Sequence, residues 1–361
     1  LVGVSFSGAG AFAENEINSS TTAEITNSQI DANGGGDVLV QSESNVAIDA
    51  TILSTALAFG AGAGGFGVSV GVSLAENRIG NGDTSGVFAR IDDSTVNAQG
   101  DVIVEATMDE ATIDATVVAL SVAIAGGAVA GAAAGTGSDA FNIIDYAVIA
   151  EITDSSVTVL NDHVRVAAKD NSQIYSFVGA ASVSASVGFV GGSVSVAVSL
   201  SENTIDNTIS AQVTNSSITA PDLTVNAADD SSITGTAVAA AVAASASLGF
   251  SVAGSGAQNI ASNTSATSAR VTGADNNDVI QLTGDLTVNA IAQPKVVGDT
   301  GTASVSIGLA ALAASGGVVV LNVAPTVTAQ VSTITVNAAD VFVTATGQPY
   351  AKGVAYGMSV S

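Results

Sequence analysis

The chain has no cysteine and no tryptophan, one histidine, four prolines and seven lysines and arginines in 361 residues. Without cysteine there is neither a disulfide framework nor a thiolate metal site. With His163 as the single histidine there is no second imidazole for a proton relay, and the many serines fall in strand-like alternation with no strand-to-helix nucleophile elbow. Carboxylates lie in turn-like pairs without basic companions, unlike the grouped acids of polysaccharide-cleaving sites. No enzyme and no obligatory cofactor is expected. The seven cations (Arg78, Arg90, Arg165, Lys169, Arg270, Lys295 and Lys352) are scattered, which excludes a phosphate-binding patch and so a nucleic-acid partner. Aromatic residues make up 4% of the chain, too few for the girdles of a membrane barrel or for a broad globular core.

What is present is glycine, 39 residues of it, small aliphatic residues, and 32 acids that bring the formal net charge to -25. Such a charge keeps a chain soluble by self-repulsion and suits a salty or divalent-rich medium. A core of valine, isoleucine, alanine and serine is thin, which favours layered β-structure. The run 115–138 carries no charge and is long enough for a membrane helix, so its periodicity decides its nature.

Self-comparison supplies that periodicity. An Asn signature recurs at Asn15, Asn77, Asn142, Asn203, Asn259 and Asn322, at intervals of 62, 65, 61, 56 and 63 residues. Each is followed by an "A-x-[IV]" stretch and then by an Asp that opens an alternating strand, at Asp37, Asp101, Asp162, Asp222, Asp285 and Asp340. Residues 1–361 therefore read as one continuous array of units near 1–67, 68–131, 132–195, 196–254, 255–317 and 318–361. The uncharged run recurs in the same phase. In "SVSASVGFVGGSVSVAVSLSEN", Val183, Ala185, Val187 and Phe189 alternate with Ser182, Ser184 and Ser186, and Val194, Val196, Val198 and Leu200 alternate with Ser193, Ser195 and Ser199. Period two means strand, so no membrane insertion is expected of this run. A two-residue turn at Gly191-Gly192 predicts an antiparallel hairpin with Phe189 opposite Val194, Val187 opposite Val196, Ala185 opposite Val198 and Val183 opposite Leu200. Equivalent hairpins are expected around Gly126-Gly127 and Gly64-Gly65, with Leu57 and Phe59 meeting Val72 and Val70, and with the apolar face covered by neighbouring layers.

The fold class expected is all-β: an elongated repeat array, a β-helix or β-solenoid carrying long Gly-Gly hairpins, with stacked antiparallel β-sandwich repeats as the alternative. The cycle of Asn signature, "A-x-I" stretch and "GDV-x-V" strand resembles the repeats of very large secreted bacterial surface proteins: leukotoxin-type and filamentous-haemagglutinin-like adhesins and some autotransporter passengers. The resemblance covers nearly the whole chain. It implies a right-handed β-helix or related solenoid, export to the cell surface, and work in adhesion or surface architecture.

The chain opens on what aligns with a second hairpin arm and closes on a first arm, so it reads as an excerpt of a longer polypeptide or as a unit completed by strand addition between copies. Two functions follow as expectations: an extracellular, filament-forming structural protein of a cell surface or biofilm matrix, assembling by strand completion between ends, or the stalk of a giant adhesin whose receptor-binding tip lies elsewhere. Self-association is the partner expected first, with a surface or host receptor second. The recurring Asp and Asn residues read as structural repeat markers, turn caps and a ladder of amides. Among the acid clusters, Asp92 with Asp93 and Asp275 with Asp278 are the candidate weak calcium ligands, since loops of this kind supply some of the six to eight oxygens calcium takes.

Overall fold

The computed structural model describes residues 2–32, 34–82, 84–274 and 278–361. These are nearly all β-strand, and each strand pairing recorded among them is parallel and joins a segment to its counterpart about sixty residues on. The antiparallel sandwich alternative is thereby set aside. The chain runs in circuits, and each circuit visits three sheets in turn.

A first base sheet stacks Ser20–Thr26, Gly86–Asp92, Ala147–Thr153, Thr208–Thr214, Ala266–Thr272 and Thr326–Ser332. These are the "A-x-[IV]" stretches. A second base sheet stacks the short strands Gln29–Ala32, Thr95–Ala98, Ser156–Val159, Ser217–Ala220, Val279–Leu282 and Thr335–Asn337. In five of the circuits the corner between them is made by one residue in the left-handed region: Asn27, Asp93, Asp154, Asn215 or Thr333, with φ between 46° and 55°. Asn and Asp tolerate that conformation, and the serine that follows each of them closes the corner. The Ser94 hydroxyl donates to the Asp92 carbonyl at 2.7 Å and accepts the Ser28 N–H at 3.0 Å, and Ser155 and Ser216 repeat the arrangement.

The third sheet is the long one. Its outgoing arms begin at Val38–Ala61 and continue through 102–127, 163–188, Asp222–Asp229 with Ser232–Ala246, Leu286–Ala292 with Lys295–Ile307, and Val341–Gly347 with Tyr350–Val360. The first seven or eight residues of each arm form the third side of the base. There the arm is interrupted, by register shifts near Ser44 and Asp170 and by Pro294 and Pro349 in later circuits. Proline has no N–H to give to a ladder, so it fits such a break. Beyond it the arm leaves the base, turns, and comes back as Gly64–Ile79, 129–144, 190–205, Phe250–Asn263 or Ala310–Val323, and Val2–Ile17 pairs with Gly64–Ile79 as a further strand of the returning leaf. The outgoing and returning arms make two leaves of a fin.

The predicted antiparallel hairpins do not form. The two arms of one circuit are not hydrogen-bonded to each other: Val183 pairs with Val122 and Val242, and Val196 with Gly135 and Gly254, all in neighbouring circuits. The turn lies not at Gly191-Gly192 but at Phe189, and in the preceding circuit at Ala128, the residues that the parallel register skips. The two leaves lie close enough for the Ser195 hydroxyl to donate to the Ser182 carbonyl at 2.8 Å, so the arms of one circuit meet through side chains and not through the backbone ladder of a hairpin. Tight approach at this edge needs glycine, since a Cβ on Gly127 would fall on the Gly62 carbonyl and one on Gly188 on that of Gly127.

The apolar face is corrected as well. The base is filled by Val, Ile and Leu, with Tyr146, Ile91, Met108 and Ile152 fully buried. Inside the fin the order reverses: the buried clusters are alanines such as Ala123, Ala125, Ala132, Ala239 and Ala241, together with Ser182, Ser184, Ser193 and Ser195. The Ser182 and Ser195 hydroxyls are 2.7 Å apart, and Ser73 donates to Ser54 across the leaves at 2.8 Å. Small inner residues let the leaves close up. The large alternating residues face out instead, with Val187 59%, Phe189 73%, Val70 48% and Val196 44% exposed.

Candidate functional site

The markers predicted from sequence fall on two ladders. Asn15, Asn77, Asn142 and Asn203 stack at the root of the fin, each Nδ2 of the first three donating to the next Oδ1 at 2.8 Å. Asn77, Asn142 and Asn203 are fully buried, so these bonds satisfy amides that water does not reach. The ladder stops at the fourth member. The short 56-residue interval brings Asn259 opposite Ser201 instead, where its Nδ2 reaches the Asp299 carbonyl at 3.5 Å, and Asn322 pairs with Ser262. Gly235 makes room for the displaced amides, since a Cβ there would lie 2.7 Å from Asn259 Nδ2 and 3.0 Å from Asn203 Nδ2.

The recurring Asp residues sit at the entry of the long sheet, where each caps the circuit after it. Asp37 Oδ1 accepts the Asp101 N–H at 2.9 Å, Asp222 that of Asp285 at 2.7 Å, and Asp285 that of Asp340 at 3.2 Å. Asp162 departs from the row. His163 holds its register position, pairing with Asp222 and donating its N–H to Asp101 at 3.1 Å. Asp101, Asp162 and His163 are consequently the one trio of potential metal-ligating side chains among the described residues, with His163 Nε2 2.9 Å from Asp162 and Nδ1 3.6 Å from Asp222. The trio lies open at the surface.

The candidate calcium ligands are not gathered together. Asp92 lies on the outer face of the first base sheet, in the row of Thr26 and Thr153, whereas Asp93 is the corner residue beside it. Asp278 accepts the Ala274 N–H at 2.9 Å, and Asp275 lies outside the described residues. Close by on the same base sheet, Arg90 stacks over Phe88 at 4.6 Å and pairs with Glu151 at 2.8 Å, and Gln212 donates to the same carboxylate at 2.6 Å. That cation is committed to its neighbours.

One acidic pair was not singled out from sequence. Asp170 and Asp229 stack in adjacent circuits where the fin joins the base, and both are buried. Asp170 accepts Ser172 Oγ at 2.7 Å and Asn207 Nδ2 at 2.9 Å, and Asp229 accepts the Ser231 N–H at 3.0 Å. Burial, and then the charge of Asp229, push the Asp170 carboxyl up to about 7, and burial raises Asp229 too. Burial thus favours the protonated form at both carboxyls. Its sequence signal is the matched "D-x-S" of Asp170-Asn171-Ser172 and Asp229-Asp230-Ser231.

The largest feature is the exterior of the fin. Charge stops at Asp49, Asp114, Asp170, Asp230 and Asp299 on the way out and resumes at Glu76, Asp139, Glu202, Arg270 and Asp340. Ten to twelve residues of uncharged strand make each leaf about 35 Å tall. Phe59, Phe66, Ile124, Val129, Phe250 and Leu309 line its free edge, all exposed. Asp139, half-buried at the foot of the returning leaf, has its carboxyl raised by burial and then by Glu202. Such a face exceeds the few hundred Å² of contiguous apolar surface usual on a soluble monomer. None of the described helices is long and apolar enough to cross a membrane. No protein-family model, curated protein or solved structure matches this chain.

Proposed function

We propose that the chain is a segment of an extracellular β-solenoid with structural work, which extends by pairing strands at its two open ends. The supporting observation is the constancy of the cross-section. One end presents Val2–Ile17, Ser20–Thr26, Gln29–Ala32 and Val38–Ala61, the other Ala310–Val323, Thr326–Ser332, Thr335–Asn337, Val341–Gly347 and Tyr350–Val360, each bonded on one side only. The two edges carry the same strands in the same order, so one complements the other. Further circuits of the same polypeptide or another copy would continue the ladders equally well. Parallel in-register pairing then adds the same backbone bonds at every junction. The acidic charge and the resemblance to secreted surface repeats favour the outside of a bacterial cell as the setting.

Electron microscopy of the purified 361-residue chain at micromolar concentration tests this reading. Fibres of uniform width and indefinite length are expected. Single particles with no end-to-end growth would overturn assembly by strand completion and favour a passive stalk.

A further inference from the structure

On the returning leaf, neighbouring circuits differ in a way that the sixty-residue repeat does not require. One outward row reads, across the sheet, Gly8, Val70, Gly135, Val196, Gly254 and Ala314. The next reads Gly10, Val72, Gly137, Val198, Gly256 and Gly316. Valine and glycine alternate over the first five strands and a small residue ends each row, so the two valine ridges stand about 9.6 Å apart with glycine-floored grooves beside them.

Nothing within the chain accounts for these glycines. A Cβ added at Gly8, Gly10, Gly135, Gly137 or Gly254 meets no atom within 4 Å, and none of the five has a positive φ. Glycine inside a strand costs roughly 0.5–1 kcal/mol relative to alanine, and here that cost is met at each of them. The empty space is on the outside of the fin. A lipid surface gains nothing from it, since valine at every position would be the better contact. A rigid counter-surface with the same 9.6 Å period gains directly.

We propose that the returning leaf is an interface between two copies of this chain, packed leaf to leaf so that each valine-bearing strand of one copy faces a glycine-bearing strand of the other. The Val70/Val72 and Val196/Val198 ridges of one copy then enter the glycine grooves of the other, the dry interdigitation of a steric zipper. The area suits such a contact: six strands by about eight residues give roughly 700 Å² per copy, close to the ~800 Å² per partner of a stable interface. This lateral pairing is independent of the end-to-end growth proposed above, and the two separate in one experiment.

The whole chain is compared with the variant Gly135→Val/Gly137→Val/Gly254→Val by sedimentation velocity and by fibre width in electron microscopy. Filling the grooves leaves the fold intact, because each new Cβ has open space, so circular dichroism and melting stay at or above the parent's. Lateral association should weaken at least about tenfold while fibre length is unchanged. Val196→Ser/Val198→Ser, which removes one ridge, should act alike. Undiminished pairing in the groove-filled variant would overturn the proposal, as would a parent chain that stays unpaired. So would parent and variant floating equally with phosphatidylcholine vesicles without pairing, which would make the face a lipid contact. Loss of length growth with pairing retained would strike the end-to-end reading alone.

Discussion

At the scale of single residues, the buried carboxyls make the clearest prediction. An aspartate whose folded pKa is raised to about 7 keeps its proton in the folded state while the unfolded chain loses it near 3.8. The folded state then binds more protons between those values, so its stability is fully present below about pH 4, falls as pH rises, and levels off above pH 7. Asp170→Asn keeps one oxygen to accept from Asn207, turns its amide N–H toward the Ser172 hydroxyl, which can accept it, and removes the charge. We expect it to flatten this fall and to stabilise the protein by on the order of 2 kcal/mol at pH 8, with little change at pH 4. Thermal melting of both proteins across pH 4–8 checks it; identical pH profiles would show that Asp170 is not the group that titrates. Burial on this scale was not legible in the sequence, because Asp170 and Asp230 stand in equally polar surroundings along the chain and only the strand register separates them.

At the scale of the element, the alternation of large and small residues reads correctly as strand and misleads about direction. Hydrophobicity alone assigns the valines of 183–200 to the inside. Packing of two leaves through Ser and Ala puts them outside. Substitutions therefore sort by face. Ser195→Val forces bulk between the leaves, where Ser182 lies at 2.7 Å, and is expected to cost about 1–3 kcal/mol. Val70→Asp with Val72→Asp changes outward positions and should leave the β signal in circular dichroism and the urea midpoint nearly unchanged. Collapse of the double Asp variant would return these valines to an interior. The Asn ladder behaves as a unit. Asn142→Ala removes two bonds and orphans buried groups of Asn77 and Asn203, an expected loss of about 2–4 kcal/mol in urea unfolding. The six markers were visible in sequence, but that the ladder would break at Asn259 was not, since its 56-residue interval displaces it by an even number of positions that leaves strand alternation undisturbed.

At the scale of the whole molecule, a circuit of about sixty residues adds only one strand spacing, about 4.8 Å, to the stack. Six circuits thus extend roughly 25 Å, less than the fin is tall, so elongation is a poor description of this chain by itself. The sequence announced the period and the β class through its markers. It did not announce the fin as a separate body, because nothing in a sixty-residue repeat distinguishes arms that pair within a circuit from arms that pair between circuits. The alternation of glycine and valine across the returning leaf has a bearing on how such a protein changes over generations. Tandem repeats gain and lose units by unequal exchange, and removal of Gly80–Ile144 would rejoin Ile79 to Asp145 with every ladder still in register. It would also bring Val70 and Val72 beside Val196 and Val198, erasing a groove. Loss of two consecutive circuits restores the alternation, so under the proposed leaf-to-leaf packing circuits would be lost in pairs more readily than singly.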